Sequence, residues 1–128
     1  MSFDFSEYLD VAKELAGLTV QSVSQEAKLR SSISRAYYAA YCKARYFAFS
    51  KGVTIPEDTP EHKFIREYFK SSNDATQIRI GDNLGILGKN RTRTDYDIIF
   101  KSTPFSIEHI AKLSIKFATD VLNDLTSL

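Results

Sequence analysis

Apolar residues recur at three- and four-residue steps along most of the chain, the spacing of helices that each bury one face. From Phe5, the positions Tyr8, Leu9, Ala12, Leu15 and Ala16 predict an amphipathic first helix ending near Gly17. Ser22 or Ser24 is placed to cap a second helix, which runs to about Ser50 before Gly52 and Pro56 stop it. At about 1.5 Å per residue this helix is about 40 Å long and crosses the whole domain. Ile33, Ala36, Tyr37, Ala40, Tyr41, Ala44, Phe47 and Ala48 form its apolar stripe, interrupted or flanked by Lys28, Arg30, Arg35, Lys43 and Arg45. The alanines let a neighbouring helix approach closely.

Asp58 or Thr59 with Pro60 starts a third helix, with Phe64, Ile65, Tyr68 and Phe69 as its buried face and Ser71-Ser72-Asn73 as its end. The fourth element, Asp74 to about Lys89, has Ile78, Ile80, Leu84 and Leu87 at helical spacing. Gly81, Gly85 and Gly88 each cost it about 1 kcal/mol relative to alanine, so it is expected to be short or kinked. Thr103-Pro104 opens a last helix, where Ile107, Ile110, Ala111, Ser114, Phe117, Ala118, Val121, Leu122 and Leu125 keep the step. Only Tyr96 to Phe100 hints at a strand. The expected architecture is an all-α, up-down bundle of about five helices forming a single domain over residues 1–128.

Charge changes this picture because it is segregated. The net charge is only +1, yet residues 1–26 hold five acids and one base, whereas 28–51 hold six bases and no acid. Six aromatics crowd between Tyr37 and Phe49 in the same basic segment, and a second basic run follows at Lys89-Asn90-Arg91-Thr92-Arg93. If the fold joins the two runs, they make an anion cleft; otherwise they are solvated helix faces. A single cysteine, Cys42, excludes an intrachain disulfide and fits a reducing, cytoplasmic setting, with core packing as its expected role. The N-terminal residues lack the pattern of a signal peptide, and no stretch has the roughly 18 apolar residues of a membrane span.

The segment Ser31-Ser32-Ile33-Ser34-Arg35-Ala36-Tyr37-Tyr38-Ala39-Ala40-Tyr41, followed much later by Arg91-Thr92-Arg93-Thr94-Asp95-Tyr96-Asp97, resembles the HEPN superfamily (higher eukaryotes and prokaryotes nucleotide-binding). More narrowly, it is similar to the small stand-alone prokaryotic members with an SRAYYA helix and an RxxxDY signature, and the resemblance spans residues 5–125. It implies a helical bundle paired as a homodimer through the signature faces, with a positively charged cleft at the dimer axis. Many members are metal-independent ribonucleases, several act as toxins or host-defence effectors, and a nucleotidyltransferase-type partner often restrains them. In active members an arginine, then four to six residues, then a histidine carries cleavage.

This chain departs from that pattern. His62 and His109 are its only histidines, and neither follows any of its seven arginines at that spacing. With four residues intervening after Arg91 comes Tyr96, whose phenol, with a reference pKa of about 10, is a poor base at neutral pH. Two readings of this region stand. In one, Arg91 and Arg93 hold a phosphate while Asp95 acts as base and Tyr96 as acid, although two neighbouring arginines should keep Asp95 ionised and weakly basic. In the other, Arg91 and Asp95 pair structurally and the Tyr96 ring packs. Arg35, beside the tyrosine pair on a face expected to be buried, needs a partner such as Asp95 or Asp97 and thereby ties the two signatures together, or else serves the anion cleft. Lys89 and Tyr38 complete the candidate anion-binding set. His62, in the first turn of the third helix, reads as a surface histidine, and His109 likewise.

Other chemistries find little purchase. Gly81, Gly85, Gly88 and Lys89 do not make a phosphate loop, because Asn90 stands where Ser or Thr is needed. Neither a metal-ligand cluster nor a nucleophile elbow is legible, and no cofactor is expected. The expected function is RNA or nucleotide binding, with metal-independent endoribonuclease activity as its enzymatic form. The alternative is a catalytically silent module that docks a partner protein on the aromatic face of the second helix.

Overall fold

The computed structural model describes residues 4, 6–18, 23–97 and 106–128, apart from the side chains of Glu7, Tyr8 and Asp10. Five helices make up the fold: α1 (Glu7–Leu15), α2 (Gln25–Ser50), α3 (Glu61–Lys70), α4 (Ala75–Tyr96) and α5 (Ile107–Thr126). There is no strand among the described residues, so the chain is an all-α bundle as expected. Nor is any described helix long and apolar enough to cross a membrane.

Local chemistry explains the ends of α2. The Ser24 hydroxyl accepts from the Ala27 amide at 3.0 Å, satisfying one orphan donor of the first turn. At the other end Gly52 adopts φ +83°, which lets its amide donate to the Phe49 carbonyl (3.0 Å) and the Val53 amide to that of Ala48 (3.1 Å). This paired closure depends on the left-handed glycine. Asp74 and Ser106 cap α4 and α5 in the same way as Ser24, through the amides of Gln77 and His109. The expected opening at Thr103-Pro104, the alternative cap Ser22, the start at Phe5, the Tyr8 side chain and the strand hint beyond Asp97 lie outside the described residues.

Helices α2, α4 and α5 pack mutually, α3 lies mainly against α4, and α1 touches α2. The main core joins Tyr37, Tyr41 and Ala44 of α2 with Ile65 and Phe69 of α3, Ile80, Leu84 and Leu87 of α4, and Val121 of α5. Helix α1 departs from its expected stripe. Among its described side chains Val11 is the buried one, against Ala27 and Val23, whereas Leu9, Ala12, Leu15 and Ala16 are exposed. Cys42 is also exposed rather than in the core.

The largest correction concerns α4, which is an unbroken helix of 22 residues rather than a short or kinked one. Its glycines are used for close approach. A Cβ on Gly81 would lie 2.4 Å from Lys70 Cγ and 2.7 Å from the Lys70 amide nitrogen, so α3 can seat here only against a bare backbone. Packing against α2, α3 and α5 outweighs the loss of about 1 kcal/mol per glycine.

Candidate anion-binding cleft

Because α4 runs to Tyr96, the second basic run is helical, and its side chains fan out beside α3. Arg66 and Lys70 from α3, and Lys89, Arg91 and Arg93 from α4, line one cleft of about 720 Å³ whose acidic lining residue is Asp82. Five cations around one acid raise the local concentration of a polyanion. Tyr37 and His62 line the same cleft.

His62 is not a surface histidine. Its ring stacks on Tyr41 with centroids 4.0 Å apart and meets Tyr38 edge-on at 6.2 Å, and its Nδ1 shares a hydrogen bond with the Tyr37 hydroxyl. Burial, reinforced by the nearby Arg91 charge, lowers its pKa from the ordinary 6.5, so the imidazole is neutral at pH 7. Burial likewise pushes the Tyr37 phenol up to about 12, keeping its proton on. When Nδ1–H donates to the Tyr37 oxygen, Nε2 carries the ring's free lone pair; when Tyr37 donates to Nδ1, Nε2 carries the proton. The Tyr41 hydroxyl donates to Glu61 at 3.1 Å, which, with Arg45 bound to the same carboxylate, fixes the outer edge of the stack.

Arg91 sits at the divide between this cleft and a second groove. Its guanidinium carbon lies 5.3 Å from the Tyr37 ring centre and 5.6 Å from that of Tyr38. Its Nη1 makes long contacts of 3.4 Å to the Tyr38 hydroxyl and to Asp95 Oδ2, one turn along the helix. The Nε is buried and has no hydrogen-bond partner among the described residues. A guanidinium held this loosely retains donors for an incoming anion.

The groove beyond Arg91 lies between α1, α2 and the end of α4 and is lined by Leu15, Arg35, Tyr38, Asp95 and Tyr96, among others. The predicted residues are therefore divided. Lys89, Arg91 and Arg93 share the basic cleft, Arg35, Tyr38, Asp95 and Tyr96 line its neighbour, and the Arg91–Asp95 contact joins the two. Tyr96 is 69% exposed. Burial pushes the Asp95 carboxyl above its ordinary value despite the opposing pull of Arg91, the opposite direction to that expected from its arginine neighbours.

Arg35 does not tie the signatures together, because it is exposed. Arg30 has that role. It is fully buried, donates from Nη1 to the carbonyl oxygens of Thr94 (2.8 Å) and Asp97 (2.7 Å), and pairs through Nε with Glu26 at 2.8 Å. The signal was its phase, since positions 30, 33, 37, 41, 44 and 48 share one helical stripe. His62 shares a stripe with Ile65 and Phe69 in the same sense.

Among the described residues no three His, Cys, Asp or Glu side chains converge on a common point. In comparisons with known proteins, no family model, no curated protein and no solved structure matches this chain.

Proposed function

We propose that this chain is a HEPN-type protein that binds RNA through its phosphates in the cleft between α3 and α4. The observation that supports this reading most is the convergence of Arg66, Lys70, Lys89, Arg91 and Arg93 on one cleft with a single acid in its lining. The SRAYYA-type segment supplies Tyr37 and Tyr38 beside that cleft, and the second signature supplies Arg91, which supports the HEPN-type reading. A second copy of the chain and a nucleotidyltransferase-type protein are its proposed partners.

The proposed chemistry is metal-independent strand cleavage. Arg91 and Arg93 hold the phosphate as charge develops on it. His62, in the neutral tautomer whose Nδ1–H donates to the Tyr37 oxygen, takes the 2′-hydroxyl proton through Nε2 as the O2′–P bond forms. The P–O5′ bond breaks, and the proton passes to the departing 5′ oxygen, leaving a 2′,3′-cyclic phosphate. Asp95 orients Arg91, and Tyr96 has no step.

Incubation of labelled RNA with the protein in EDTA, beside Arg91→Ala, His62→Gln and Tyr96→Phe variants, tests this. The expected result is cleavage by the wild type and Tyr96→Phe, with loss of at least about a hundredfold in the other two, the usual size of a general-base contribution. Uncut RNA in all four samples removes the nuclease chemistry and leaves the binding site.

A further inference from the structure

Helix α2 leaves one face uncovered by the rest of the bundle, and that face is unlike an ordinary solvated one. Its exposed positions follow the helical step from 35 to 50 and carry Arg35, Tyr38, Lys43, Tyr46 and Phe49, with Ala39, Cys42 and Ser50 between them. No acid lies among them, although acids are as common as bases in the chain as a whole, at 16 against 17. The three aromatics are well exposed, with Tyr38 at 41%, Tyr46 at 73% and Phe49 at 38%. The Arg45 guanidinium carbon sits 4.4 Å from the Phe49 ring centre, so a cation flanks the aromatic at the far end. Glu61, at the flank, is already bound by Arg45 and Tyr41.

We infer that this face is a stacking platform for single-stranded nucleic acid, extending the phosphate cleft by several nucleotides along α2. Bases stack on Tyr38, Tyr46 and Phe49, while Arg35 and Lys43 follow the backbone. Exposed aromatic rings spaced among cations are what a sequence-tolerant single-strand site requires, because every base offers a flat face and every linkage a charge. The cations Arg35 and Lys43 beside the rings, with no acid on the stripe, complement a polyanion. The platform is also continuous with the cleft, since the Tyr38 hydroxyl contacts Arg91 at 3.4 Å. From Tyr38 to Phe49 the helix rises about 16 Å, room for a few nucleotides beyond the one held at Arg91. The inference rests on the reading of the α3–α4 cleft as a phosphate site.

Fluorescein-labelled oligouridylates of three and twelve nucleotides, titrated into wild type, a Tyr46→Ala/Phe49→Ala double variant, Lys43→Glu and Arg91→Ala, test it, with circular dichroism confirming each fold. Wild type should bind the dodecamer at least about tenfold more tightly than the trimer. The double variant and Lys43→Glu should lose that gain while binding the trimer unchanged, a size set by base–aromatic stacking. Arg91→Ala should weaken both oligomers. Equal loss of the length gain nowhere but in Arg91→Ala overturns the platform and leaves the cleft. Loss in the stripe variants with Arg91→Ala unaffected supports the platform and removes the cleft. No binding at either length, or a change of oligomeric state on sedimentation of the double variant without change in RNA affinity, overturns the platform in favour of a protein-docking face.

Discussion

The guanidinium of Arg30, buried within the bundle, closes the C-terminal end of α4 by donating to the carbonyl oxygen of Asp97 at 2.7 Å. A second bond from the same nitrogen reaches the Thr94 carbonyl. Positive charge at a helix C-terminus also interacts favourably with the negative end of the helix dipole. Arg30→Met keeps the volume but leaves those carbonyls unpaired, and is expected to cost about 3 kcal/mol in urea denaturation. The same variant should loosen the last turn of α4, seen as faster amide exchange around residues 91–97. Unchanged stability would mean that water replaces the guanidinium at no cost.

The glycines of α4 should respond in opposite ways. At Gly81 the new Cβ meets the Lys70 backbone at 2.7 Å, so Gly81→Ala should destabilise by about 1–3 kcal/mol through overpacking. At Gly85 the nearest atom is Arg66 Cδ at 3.4 Å, an ordinary contact on a flexible side chain, and Gly85→Ala should stabilise by up to about 1 kcal/mol. Thermal melts of the two variants check the contrast. Equal effects would place α3 further from α4 than the structure has it.

Ser114 is fully buried in α5, and its hydroxyl has no hydrogen-bond partner among the described residues. Removing an unpaired buried hydroxyl relieves a desolvation cost of about 1 kcal/mol or more. Ser114→Ala should therefore raise the melting temperature or leave it unchanged, and a drop would reveal a bonded hydroxyl.

His62 gives the fold a pH dependence of known sign. Its folded pKa lies below the ordinary 6.5, so the unfolded chain binds the proton more readily. Its contribution to stability is thus complete above 6.5 and is lost as pH falls through the lowered folded value. Wild type should lose denaturant resistance as pH falls below 6.5 relative to His62→Gln, since the glutamine has no proton to take up. Parallel curves for the two proteins would mean that the imidazole is as easily protonated folded as unfolded.

Much of the fold was legible because periodicity and caps coincide: Ser24 and Gly52 frame α2, and Asp74 with its capped amide opens α4. The full length of α4 was not, since propensity penalises Gly81, Gly85 and Gly88 while the gain from seating α3 against them is tertiary. The site was half legible. The basic run at 89–93 drew notice from composition, but the approach of His62 to Arg91, 29 residues away in sequence, exists only once α3 packs on α4. Arg30 rather than Arg35 joins the two segments because helical phase puts 30 on the stripe of Ile33 and 35 on the outward face, a stronger constraint than proximity to the tyrosine pair.

The most direct test of the account is the affinity of the protein for a short single-stranded RNA as a function of salt, measured for wild type and Arg91→Ala. A cleft holding three or more phosphates predicts that log K falls with log salt at a slope of about −2 or steeper, and that Arg91→Ala flattens it by about 0.7. A salt-independent affinity, or a slope untouched by loss of Arg91, would contradict the assignment of this cleft to RNA phosphate.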